Sequence, residues 1–165
     1  MLEAALTPAG IIGELNNNNI THVVWLPDSE TNFLFESMMA DDSLELVPVC
    51  REGESMAVAA GIWVGGKRPV VLIQNTGMFE SGDSIRGLGL DIEFPMVMMV
   101  GYRGWTRHGH TPDSAGRFTE KILDAWNIDY FLVETDSDVG RISEAFALAE
   151  KTQKPVACLM GAEYV

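Results

Sequence analysis

Several polar residues that could bind or transform a ligand follow predicted strands of this chain. Four of them lie on loops that we predict directly after strands, namely Asp28, Ser29, Asn75 and Thr76. Ligands of open α/β sheets usually bind at such loops. His110 lies on a later loop, and an imidazole can relay protons near neutral pH. The positions therefore predict a ligand site with one candidate proton carrier.

Each of these residues also has an ordinary structural explanation. Asp28 and Ser29 are of the types that commonly begin helices, and a loop histidine is usually only solvated. Arginines could bind an anionic substrate tail because the guanidinium matches its oxygens, although most surface arginines are simply hydrated. The candidates of this kind are Arg86, Arg103, Arg107 and Arg117. Residue types alone leave both explanations open.

Apolar runs and turn residues predict regular alternation of strands and helices. The predicted strands are residues 22–26, 44–49, 70–74, 96–100, 130–133 and 156–160. The first predicted helix begins at Thr7. Further helices are predicted at residues 33–38, 52–64, 113–126 and 137–151, and a short helix near Ser84 follows a glycine-bearing loop. Residues 101–112 are predicted to form a long loop.

The central predicted strands are continuously apolar, as expected when helices cover both faces of a parallel sheet. With 165 residues the chain suits one domain, and we predict a single three-layer α/β domain over residues 1–165. Its sheet should be mainly parallel and six-stranded, with helices on both faces. The order of the strands does not follow from the pattern.

Composition excludes some classes of partner. The formal net charge of −13 repels nucleic acid and anionic lipid headgroups. No apolar run approaches the roughly 20 residues of a membrane span, and the first five residues lack a basic start, so we expect a cytoplasmic protein. The two cysteines and three histidines lack the spacing of a metal site, and we expect no metal ligands in this chain.

Residues 51–61 carry the most specific motif. Glu52 opens a predicted helix, alanines follow, and Gly61 lies nine residues after Glu52, a spacing that Glu54 does not satisfy. This stretch resembles the signature helix of the pyrimidine-binding domain in thiamine diphosphate (ThDP) enzymes. Other segments resemble sulfopyruvate and phosphonopyruvate decarboxylases in the same order: residues 26–29, 74–77, 94–96, 100–104 and 110–112.

The resemblance implies a role for each candidate residue. Glu52 would hydrogen-bond the aminopyrimidine ring of ThDP and activate the cofactor, whereas a surface glutamate would only stabilise the start of the helix. The other implied roles are catalysis for His110, cofactor binding for Asn75, Thr76 and Gly77, and substrate binding for Asp28, Ser29 and Arg103.

The resemblance also implies partners. The chain ends where single-chain relatives continue into a diphosphate-binding domain, so a diphosphate-binding beta subunit should supply the ligands for magnesium and diphosphate. We expect a hetero-oligomer with at least two copies of each chain, acting on a small 2-oxo acid such as sulfopyruvate. Residues 78–83 depart from the family pattern and leave the substrate open. A carboligase subunit and a noncatalytic interaction subunit are the alternatives.

Overall fold

A computed structural model describes residues 5–161 as one six-stranded sheet, flanked by helices, with a small separate hairpin. The strands of the sheet are β1 (His22–Trp25), β2 (Glu45–Pro48), β3 (Pro69–Gln74), β4 (Val97–Gly101), β7 (Asp129–Val133) and β8 (Val156–Met160). The hairpin pairs β5 (Trp105–Thr106) with β6 (Gly109–His110) in antiparallel fashion. The first four residues, on which the expectation about the N-terminus partly rests, lie outside the described range.

Seven helices surround the sheet in the described residues. They are α1 (Pro8–Asn17), α2 (Phe35–Met39), α3 (Glu52–Val64), α4 (Asn75–Glu80), α5 (Gly82–Ser84), α6 (Ser114–Ala125) and α7 (Gly140–Thr152), with a 3-10 turn at Asn32–Leu34 and a π-helical segment at Ile85–Asp91. None of these helices is long and apolar enough to cross a bilayer.

The sheet separates two hydrophobic cores. Alternate residues of each strand face opposite sides, so Leu72 packs with α1, α2 and α7, whereas Val71 and Ile73 pack with α3, α4 and α6. Burial of both faces explains why the strands are continuously apolar. All neighbouring strands are parallel, in the order β2-β1-β3-β4-β8-β7. The predicted three-layer α/β architecture is confirmed.

One predicted loop is wrong. Residues 75–91, expected to contain a glycine-bearing loop, are helical almost throughout, so Asn75 and Thr76 open a helix. Tertiary packing outweighs the low helix propensity of glycine here, because Met78 and Ile85 are fully buried in the core. The loop after β4 contains the β5–β6 hairpin, which carries His110.

Four adjacent strands deliver the candidate residues to one edge of the sheet. The carboxyl ends of parallel strands share an edge, and the chain leaves β2 towards Glu52, β1 towards Asp28, β3 towards Asn75 and β4 towards Arg103. The chain order reverses beside β1, which lies between β2 and β3. Ligands of such sheets bind at this kind of switch point.

Candidate functional site

Glu52 is the first residue of α3, and its half-buried side chain lies against α4. A β-carbon built on Gly77 would lie 2.7 Å from both Cδ and Oε1 of Glu52, and nearer still to its Cγ. Non-bonded carbons require about 3.5 Å, so only glycine at position 77 leaves room for this glutamate. The carboxylate accepts no hydrogen bond from any residue between 5 and 161. It is therefore held sterically, and its oxygens remain available to a ligand.

Asp28 places a second carboxyl group within electrostatic range of Glu52. Burial raises the pKa of Asp28, hydrogen bonds from Thr31 and the Glu30 amide oppose that rise, and the charge of Glu52 adds to it. The Asp28 oxygens accept from the amides of Glu30 (2.7 Å) and Thr31 (2.9 Å) and from the Thr31 hydroxyl (3.0 Å). This side chain therefore holds the turn after β1, whereas the cap position of the following 3-10 helix is Thr31. Ser29 is exposed on the same turn.

The raised pKa of Asp28 makes a testable difference to stability. A carboxyl whose folded-state pKa lies above its ordinary value of 3.8 favours the folded state at low pH and loses that contribution as pH rises through the folded-state pKa. Relative to wild type, Asp28→Asn should therefore gain in free energy of unfolding as pH rises from about 3.8 to neutrality. Urea denaturation across that range measures the trend. The same trend in Asp42→Asn, at an exposed position, would contradict the assignment.

Asn75 anchors the loop after β4. Its side chain is fully buried, and Nδ2 donates to the Arg103 carbonyl (2.8 Å) and the Thr119 hydroxyl (2.9 Å). Thr119 donates in turn to the Ala115 carbonyl (2.8 Å) in the first turns of α6. The Asn75 Oδ1 and the neighbouring Gln74 Oε1 are buried without a hydrogen-bond partner among the described residues. Two acceptors thus remain to be satisfied at the carboxyl end of β3.

Asn75→Ala should destabilise the fold. The substitution removes two hydrogen bonds from a buried position and leaves their partners unsatisfied, which typically costs about 1–3 kcal/mol. Chemical denaturation monitored by tryptophan fluorescence would measure the loss. Asn32→Ala, at an exposed position, provides the matched control and should change stability little. Equal effects of the two substitutions would show that Asn75 is not an anchor.

Thr76 and Arg103 lie on an open cleft of about 490 Å³ between α4 and α6. The cleft is also lined by Phe79, Asp113, Phe118 and Ile122, among others. Arg103 Nε bonds Asp113 Oδ2 at 3.0 Å, and the pKa of Asp113 is lowered first by the Ala115 amide and then by Arg103. An anion that binds Arg103 would therefore compete with Asp113.

His110 lies on an aromatic hairpin. Its ring meets Trp105 edge-on at a centroid distance of 4.9 Å, and Trp105 stacks on Tyr102 at 5.3 Å. Trp105 Nε1 donates to Glu134 (2.8 Å), and the Tyr102 hydroxyl donates to Glu120 (2.9 Å). His110 is exposed, and its ring contacts both Trp105 and Tyr102. Its catalytic role stays a prediction.

The structure thus brings the candidate residues together in three groups. Glu52, Gly77 and Asp28 form the first, Asn75, Thr76 and Arg103 the second, and His110 belongs to the hairpin. The described residues contain no group of three or more metal-ligating side chains.

Glu80 is the site residue that the sequence did not indicate. It lies three residues after Gly77, which places both on one side of α4, and its carboxylate accepts a hydrogen bond from the Gly53 amide (2.6 Å). The helical spacing could have signalled this position only if α4 had been predicted as a helix.

Known proteins resemble the chain over most of its length, although no family model matches it. It is 26% identical to the sulfopyruvate decarboxylase subunit alpha of Methanococcus maripaludis over 150 residues, which cover 90% of each chain. It is 28% identical to the phosphonopyruvate decarboxylase of Streptomyces viridochromogenes over 141 residues, covering 84% of this chain and 35% of that longer relative.

A solved structure shares the fold. The 2-oxoglutarate:ferredoxin oxidoreductase of Magnetococcus marinus superposes with a TM-score of 0.74 at 17% identity, over 95% of this chain and 29% of the oxidoreductase chain. At that identity the likeness concerns architecture alone. The resemblance predicted from the motifs is confirmed by the sequence comparisons: over most of its length, this chain is similar to sulfopyruvate decarboxylase alpha subunits and phosphonopyruvate decarboxylases.

Proposed function

We propose that the chain is the pyrimidine-binding alpha subunit of a two-subunit, ThDP-dependent 2-oxo acid decarboxylase. The substrate would be sulfopyruvate or a close analogue, and the products sulfoacetaldehyde, or the matching aldehyde, and carbon dioxide. The observation that carries the proposal is the carboxylate of Glu52, which is held against Gly77 and bonded by no residue between 5 and 161. Similarity along 90% of a decarboxylase alpha subunit supports the same conclusion.

The residues of the first two groups fit the aminopyrimidine end of ThDP. A half-buried carboxylate can hydrogen-bond a ring nitrogen, and it does so more strongly than in water because the surroundings are less polar. The buried, unpartnered oxygens of Gln74 and Asn75 suit a donor such as an amino group or water. When bound, ThDP would supply the electron sink that decarboxylation of a 2-oxo acid requires.

The remaining candidate residues would bind and orient the substrate. Asp28 lies within electrostatic range of Glu52 and has a raised pKa, so it is a candidate to hold or transfer a proton near the reacting carbon. Arg103 could bind the sulfonate if Asp113 released it. His110 would approach from the aromatic hairpin. Thr76 and Ser29 are the candidate polar contacts at the margins of the site.

A beta subunit would complete the site. It would contribute the ligands for magnesium and the diphosphate, and the assembly would contain at least two copies of each chain. Two of the relatives are named as a subunit alpha, which supports the existence of a partner subunit. Two free thiols, Cys50 and Cys158, are consistent with our proposal of a reducing cytoplasmic location.

The test is turnover by the chain co-purified with its diphosphate-binding partner. The complex should bind ThDP with magnesium and release carbon dioxide from sulfopyruvate faster than from phosphonopyruvate or pyruvate, whereas the chain alone should be inactive. Product analysis with an added acceptor aldehyde separates decarboxylation from ligation. A complex that neither binds ThDP nor consumes any 2-oxo acid would refute the proposal and favour a noncatalytic interaction subunit.

A further inference from the structure

The N-terminus of α3 lacks a cap of its own. Arg51 occupies the cap position with an extended backbone, and its side chain makes no capping hydrogen bond. The first amides of a helix have no partner within the helix and must find one elsewhere. Because Glu52 is the first residue of this helix, whatever satisfies these amides also sets the position of the Glu52 backbone.

Glu80 supplies the missing cap from the neighbouring helix. One carboxylate oxygen accepts from the Gly53 amide at 2.6 Å, and the other pairs with the guanidinium of Arg51. The Gly53 amide belongs to the peptide that follows Glu52, and the carbonyl of that peptide accepts from the Ser55 hydroxyl at 2.5 Å. Ser84 donates to the next carbonyl, that of Gly53, at 3.0 Å. The peptide group between Glu52 and Gly53 is therefore hydrogen-bonded at both its amide and its carbonyl.

The contact between the two helices is reciprocal. Glu52 of α3 lies over Gly77 of α4, while Glu80 of α4 lies over Gly53 of α3. A β-carbon on Gly53 would come within 3.0 Å of Glu80 Oε2, closer than ordinary contacts allow. The same short helix thus locates the side chain of Glu52 through Gly77 and its backbone through Glu80.

The ion pair between Glu80 and Arg51 adds little to the stability of the fold. The Arg51 side chain is 72% exposed and that of Glu80 33% exposed, and exposed ion pairs contribute little to folding. The geometric consequence is larger, because a displacement of the α3 N-terminus moves the Glu52 carboxylate with it.

We propose that Glu80 is a positioning residue for Glu52, a role that rests on the proposed function. It acts through the Gly53 amide and Arg51, and it touches neither cofactor nor substrate. The orientation of Glu52 would then depend on a contact between α3 and α4.

A double-mutant cycle on the complex with its partner tests the proposal. Glu80→Ala should weaken ThDP binding by about tenfold, within the range of coupling between contacting groups. It should also lower kcat by about 10- to 100-fold, as a misplacement of about 1 Å does. In the Glu52→Gln background, Glu80→Ala should change the ThDP dissociation constant less than about twofold, because the carboxylate it positions is gone.

Two further variants separate positioning from general damage. Glu80→Gln keeps an oxygen for the Gly53 amide and should recover most of the lost affinity and turnover. Glu54→Ala removes an exposed acidic side chain from the same turn and should leave both unchanged. If Glu80→Ala caused equal losses in the wild-type and Glu52→Gln backgrounds, the positioning role would be overturned while the decarboxylase proposal stayed intact. Failure of the wild-type complex to bind ThDP would overturn both.

Discussion

Glu52→Gln should reduce decarboxylation by about 10²- to 10⁴-fold, the usual contribution of a positioned acid or base. Glutamine has nearly the same shape, so it should still fit against Gly77, but it cannot carry the charge that the proposed activation of the aminopyrimidine requires. The substitution therefore isolates chemistry from packing. Steady-state rates of carbon dioxide release at saturating ThDP, together with thermal unfolding of the complex, would measure both.

The control for this experiment is Glu54→Gln, which makes the same chemical change two residues further along α3 at an exposed position. It should retain full turnover. If Glu52→Gln retained more than about half of wild-type kcat with normal ThDP affinity, Glu52 would be an ordinary residue of the helix N-terminus, and its effect would be limited to a few tenths of a kcal/mol of stability.

Gly77→Ala should also inactivate the enzyme, for a steric reason. The added methyl group would overlap the Cγ, Cδ and Oε1 atoms of Glu52, so the glutamate must leave its position or α3 must move away from α4. A displacement of about 1 Å at a reacting group costs about 100-fold in rate. Overpacking of this kind also costs about 1–3 kcal/mol of stability. Turnover, ThDP affinity and unfolding free energy should therefore all decrease.

Gly87→Ala is the matched control for the added methyl group, because a β-carbon at position 87 meets no atom within 4 Å. It should leave activity and stability close to wild type. A fully active Gly77→Ala complex would mean that the side chain of Glu52 does not need its observed position, and the candidate site would have to be placed elsewhere.

The amino-acid pattern predicted the architecture well because the burial of a strand or helix determines which of its own residues are apolar. Strands such as Val156–Met160 are apolar at every position since helices cover both sides, and α3 begins and ends where its motif indicated. Placement of Asp28, Glu52 and Asn75 at one edge also follows from parallel pairing. The bounds of the strands and of α3 depend on residues close together in the chain.

Contacts between segments that are distant in the chain could not be predicted from local sequence patterns. Gly77 and Gly82 suggested a loop, yet this stretch is helical because Met78 is buried and α3 lies close beside it. The hydrogen bonds from the Gly53 amide to Glu80 and from Asn75 to the Arg103 carbonyl join segments more than twenty residues apart. The order of strands is likewise a non-local property. The detailed geometry of the site is therefore a property of the folded chain.

The position of β1 between β2 and β3 has a consequence for how the site comes into existence during folding. Glu52 follows β2 and Gly77 follows β3, and each of these strands pairs with β1. Glu52 of α3 cannot lie against Gly77 of α4 until both pairings have formed. Such non-local pairings are the slow steps of folding. A chain still being synthesised that contains Glu52 but not yet β3 would therefore have no complete cofactor site. Cofactor affinity should thus appear late in refolding, together with the closure of the central strands, and its time course would report that event.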